Sequence, residues 1–115
     1  SCISDSQKVY KIASDEFIIL DTTSSDMTTA SKLYDHICKH INQFIEENNF
    51  AAVFTISAGI LPLPDLSRTG YEEIIKRTDF SLTVAKQHGR NCCYIFQEEE
   101  YQNFLRIREI SFIQQ

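Results

Sequence analysis

Two acids stand side by side inside an apolar run, "YKIASDEFIILD", from Tyr10 to Asp21. Asp15 and Glu16 fall where the β-rich residues on either side require a turn. Adjacent carboxylates at a strand end have two uses. They can be solvated loop residues, or they can offer hard oxygen ligands to Mg2+. His36 and His40 are a second pair with chemical potential. Four residues apart on a helix, they have a spacing that can bind a metal ion. No third ligand is in view in the sequence, which favours surface histidines. Asp65 and the run from Glu98 to Glu100 read as solvated charge.

The elements that must position these residues follow from apolar spacing. Val9 to Ile12 and Phe17 to Leu20 predict the two strands of a hairpin around the acids, without the Asn-Gly of the tightest turns. "DTTSSD" is rich in N-cap residues. From Met27 to Glu47, Ala30, Leu33, Ile37, Ile41, Phe44 and Ile45 recur at gaps of three and four, which predicts a helix. Leu33, Ile37, Ile41 and Phe44 are its expected buried stripe, and Asn48 and Asn49 can end it.

"FAAVFTISAGILPLP" predicts a long strand closed by Pro62 and Pro64. Val53, Thr55 and Ser57 would share one face, and Phe54, Ile56 and Ala58 the other. Thr69 and Glu72 make a capping box for the next helix. Its expected apolar face is Tyr71, Ile74, Ile75, Leu82 and Ala85, and Gly89 is its stop. "NCCYIF" predicts a short strand, and "EEEYQNFLRIREISFIQQ" a last amphipathic helix. The order implies an α+β fold, a mainly antiparallel sheet flanked by helices.

Bulk properties narrow the function classes. A chain of 115 residues suits one domain, and 43% hydrophobic with 23% charged residues is ordinary for a globular fold. The net charge of -5 argues against a general nucleic-acid surface, which needs a basic face. No apolar run approaches the roughly 20 residues that span a bilayer, and nothing reads as a signal peptide. Cys2, Cys38, Cys92 and Cys93 show no zinc-ribbon spacing and read as reduced thiols of a cytoplasmic protein, serving as small apolar residues.

Three separated stretches resemble one family. "ASDEF" followed by "IIL" resembles the GGDEF signature, and "FTISAGI" resembles that family's later strand. "RTDFSLTVAKQHGRNCCYIF" resembles its closing segment, in which an AKxxGRN pattern precedes the final strand. The resemblance covers roughly residues 8–97. It implies the polymerase-palm-like (ferredoxin-like) fold of bacterial diguanylate cyclases, which condense two GTP molecules into cyclic di-GMP between two facing protomers. That chemistry needs alignment and charge neutralisation, which metal ions can supply. On this resemblance Asp15 serves metal binding and catalysis, and Glu16 assists the metal, Mg2+. Ala13 and Ser14 line the nucleotide, and Lys86 and Arg90 hold its phosphates. Arg suits bidentate phosphate contact, and Lys supplies a point charge. Helix-end charges complementing the dipole are the other reading of Lys86 and Arg90.

The pattern also departs from the family. Ala13 and Ser14 replace the two signature glycines, whose use is close backbone approach and positive φ. The first strand-helix unit, with a further metal carboxylate and the guanine contacts, does not match any stretch here. The inhibitory RxxD motif would fall at Ser4 and Gln7, which do not conserve it.

The expectation is therefore a partial GGDEF-like domain over residues 1–97 and a C-terminal amphipathic helix or linker over 98–115. It would be a degenerate regulatory or interaction module with weak GTP binding, in a homodimer or beside a fused sensory or EAL domain. The tail "FLRIREISFIQQ" resembles the linker that joins GGDEF to EAL domains. The alternative is the C-terminal part of an active diguanylate cyclase. A ferredoxin-like RNA-binding module fits poorly, because the charge is acidic and the RNP-type aromatic pattern is missing.

Overall fold

A computed structural model describes residues 7–13, 15–21, 27–49, 51, 55–63 and 70–114, without the side chains of 27 and 111–114. The chain divides into two compact units, Ser1–Phe54 and Thr55–Gln115. The fold is α+β: the described residues form three helices, a small antiparallel sheet and a short parallel strand pair.

The first unit is a hairpin and a helix. β1 (Gln7–Ala13) pairs antiparallel with β2 (Glu16–Asp21). Lys11 faces Phe17 and Ala13 faces Glu16, so Ile12 is an extra residue on β1, a bulge beside the turn. At the open end Gln7 Nε2 donates to Asp21 Oδ2 at 2.8 Å, and Asp15 lies in the turn at the other. The hairpin carries large apolar residues on both faces, and Tyr10, Ile12 and Phe17 are at least half exposed.

α1 (Met27–Glu47) has the bounds that its apolar spacing predicts. Asn49 ends it at φ 53, and the Phe44 carbonyl in the last turn accepts from both the backbone amide of Asn48, at 3.2 Å, and its side chain, at 2.8 Å. Leu33, Ile37, Ile41 and Ile45 are half-buried as one stripe. Phe44 is a correction: it is 56% exposed. It continues the row of His36 and His40 along the border of the apolar face and lies in the final turn.

The second unit holds β3 (Ala58–Ile60), α2 (Tyr71–Gln87), β4 (Cys93–Ile95) and α3 (Glu98–Gln114). β3 and β4 pair in parallel, with α2 as the crossover between them. The long strand expected before Pro62 is corrected to three residues, since 55–57 lie outside the ladder; Val53 and Phe54 fall outside the described residues. Pro64 and Thr69 also lie outside them, and the N-cap of α2 is Gly70, with no side-chain cap bond, in place of the expected capping box.

The buried face of α2 is Phe80, Ser81, Val84 and Ala85. Of the expected face, Ala85 is buried and Ile74 and Leu82 are half-buried, but Tyr71 is 78% exposed and Ile75 38%. The centre is aromatic. Phe80 meets Tyr101 and Phe104 of α3 at ring distances of 5.1 Å, and Tyr94 and Phe96 edge-on at 6.2 Å. Arg77 closes this core: its guanidinium lies 5.2 Å from the Phe96 ring and 5.1 Å from the Tyr101 ring. It also pairs with Glu98 of α3, and more loosely with Glu73 at 3.8 Å.

Candidate functional site

The acidic pair sits where the hairpin puts it. Asp15 is exposed in the turn, and Glu16 is the half-buried first residue of β2, paired across from Ala13. The bulge at Ile12 sets that pairing, since without it Ile12 would face Glu16. Ser14 lies outside the described residues.

The basic pair belongs to the second unit, at the C-terminal end of α2. His88 caps the helix and donates to the Val84 carbonyl at 2.9 Å. Three residues then run left-handed: Gly89 at φ 103, Arg90 at φ 65 and Asn91 at φ 52. The Arg90 amide reaches back to the Ala85 carbonyl at 3.3 Å, the six-to-one bond of a Schellman cap. The Asn91 amide donates to Ser57 Oγ at 3.2 Å, tying the loop to the segment before β3. Lys86 is half-buried in the last helical turn, and Arg90 is exposed on the pinned loop. Both cations thus gather at one helix C-terminus, where the dipole favours positive charge. Sequence reading missed Ser57 as a support of this loop, since an isolated serine in an apolar run carries no signal for a contact 34 residues away.

Two tyrosines beside the core are electrostatically distinct. Burial raises the Tyr94 hydroxyl to about 12, helped by its hydrogen bond to the Glu100 carboxylate and that group's charge. Tyr101 is raised as well, first by burial and then by Glu73, with Arg77 opposing.

A family model described as "Diguanylate cyclase, GGDEF domain" matches residues 1–92. The chain belongs to the GGDEF family. The domain implies a place in cyclic di-GMP signalling. Searches of curated proteins and of solved structures found no match to this chain.

Active members of the family use Mg2+, and the acids present suit it chemically. Asp15 and Glu16 supply hard oxygens, and Mg2+ commonly takes one or two carboxylates, its other positions going to water and substrate phosphates. Among the described residues no group of three His, Cys, Asp or Glu stands close enough to hold an ion, and no helix is long and apolar enough to cross a membrane. The cysteines that are described, Cys38, Cys92 and Cys93, are thiols and not disulfides, and Cys92 donates to the Ala85 carbonyl at 3.4 Å.

Proposed function

We propose that this chain is a degenerate GGDEF domain, a regulatory or interaction module that binds nucleotide phosphates weakly and does not turn GTP over. The observation that carries this reading is the signature ASDEF. Ala13 and Ser14 bring a Cβ and a hydroxymethyl group to positions where the family has glycines beside the nucleotide. Ala13 pairs with Glu16 just past the bulge of β1.

What remains is an electrostatic site. Lys86 and Arg90 offer charge to a triphosphate, and Arg90 adds a planar fork. Arg90 is held in a conformation that costs a non-glycine residue free energy, as functional residues often are. On the first unit, Asp15 and Glu16 would offer carboxylate oxygens to Mg2+. The proposal extends to a bacterial, cytoplasmic setting, with a second copy or a fused sensory or EAL domain as the partner.

The test is incubation of the purified chain with GTP and Mg2+, followed by chromatography for cyclic di-GMP, with calorimetric titration of GTP in parallel. The expected result is no product. Weak binding should fall as salt rises, because exposed charges are screened over about 8 Å at physiological ionic strength. Sustained turnover that disappears in Asp15→Ala would overturn the proposal in favour of an active cyclase. That second reading is favoured only by the retention of Asp15 and Glu16.

A further inference from the structure

His36 and His40 stand one turn apart on α1, both exposed, with ring centroids 6.1 Å apart and planes inclined at 48°. We propose that they form a two-imidazole clamp for a first-row divalent ion of the Zn2+, Ni2+ or Cu2+ type.

The geometry is close to that of a chelate. With metal–nitrogen bonds of about 2.0–2.1 Å, two imidazoles on one tetrahedral ion have centroids about 5 Å apart. The observed 6.1 Å closes to that value by side-chain rotation alone, with no movement of the helix. Imidazole nitrogen selects borderline metals, whereas Mg2+ seeks oxygen, so the clamp does not compete for the ion that Asp15 and Glu16 suit. Lys32, one turn before His36, and Lys39 are exposed beside the pair with Asp35, so the rim carries a small net positive charge that weakens binding of a cation.

The clamp is open. Cys38 is half-buried and about 200° around the axis from His36, on the other side of the helix, so it does not reach the ion. Two coordination positions are left to water. Affinity is accordingly modest, far short of a closed four-ligand zinc site.

The experiment is titration of the intact chain with Ni2+ alone, and separately with Zn2+ alone, in a buffer that does not chelate. Calorimetry gives the stoichiometry, and the NMR signals of the histidine rings locate the ion. One ion per chain is expected, with the His36 and His40 ring signals shifting together. His36→Ala and His40→Ala should each weaken binding by about tenfold or more. Alanine favours the helix, so both variants should stay folded, as circular dichroism will show. The ion should raise the melting temperature of the parent and not of the double variant, since it binds only the native clamp. Unchanged affinity in the double variant would place the metal elsewhere on the chain and overturn the proposal, as would a parent chain that binds neither ion.

Discussion

Gly59 lies against the backbone of Leu82: a Cβ built on Gly59 would stand 2.3 Å from the Leu82 amide nitrogen and 2.5 Å from the Ser81 carbonyl carbon. β3 can approach α2 this closely only because residue 59 has no side chain. Ser81 answers from the helix side. It is fully buried, and its hydroxyl donates to the Arg77 carbonyl at 2.9 Å, so a small polar residue is accommodated at the contact.

Gly59→Ala should therefore separate strand from helix. The obstructing atoms are backbone and do not rotate away, so overpacking should cost about 1–3 kcal/mol. In a domain of this size each lost kcal/mol lowers the melting temperature by about 4–8 °C. A variant melting with the parent would show that the contact yields freely.

Phe80 and Phe44 should respond oppositely to truncation. Phe80 is 8% exposed and touches four other rings, so Phe80→Ala should cost about 3–5 kcal/mol. Phe44 is 56% exposed, and Phe44→Ala should stay within about 0.5 kcal/mol of the parent. Urea denaturation of both variants measures the contrast, and a large loss at Phe44 would contradict its exposure.

The sequence made the first unit more legible than the second. α1 shows its apolar residues at helical spacing over six turns, and its bounds could be read directly. The hairpin announced itself by two β-rich runs around two acids, and the acidic pair came with it. The long strand failed because an apolar run states burial and not hydrogen bonding; among the described residues of that run, Ala58–Ile60 alone finds a partner strand, β4. On α2, Ile74 and Ile75 drew attention by hydropathy. The buried face instead follows Arg77, Phe80, Ser81 and Val84, because the aromatic rings of α3 and β4 lie on that side. A buried serine and a half-buried arginine hide such a stripe from any count of apolar residues.

Alkaline pH should weaken the fold through Tyr94. Its folded pKa of about 12 exceeds the ordinary tyrosine value of 10.0, so the native state holds this proton more tightly than the unfolded chain. The associated stability is fully present below pH 10 and is lost as pH rises toward 12. Tyr101, also raised, acts in the same direction. Urea midpoints across that window should fall less steeply in Tyr94→Phe than in the parent. Tyrosinate absorbance that saturates near the ordinary tyrosine range for every tyrosine would contradict the shift.

Arg90→Gly should trade binding for stability. Glycine adopts φ 65 without the penalty that a side chain brings, so the variant should gain about 1 kcal/mol. It should also lose the guanidinium, and with it most of the salt-sensitive affinity for GTP. A more stable variant that binds as the parent does would assign Arg90 to the helix end alone.

The Arg77 sandwich makes α2 a lever. Arg77 is seized on one side by Phe96, Tyr101 and Glu98, and nine residues further along the same helix stands Lys86. At 1.5 Å per residue that arm is about 13 Å long. Helices resist bending over such lengths, so a tilt of α3 about the arginine is transmitted to the cationic tip. The joint is greasy as well as ionic, since the guanidinium lies against two rings and pairs with Glu98. A tilt of α3 would thereby be carried along α2 toward Lys86.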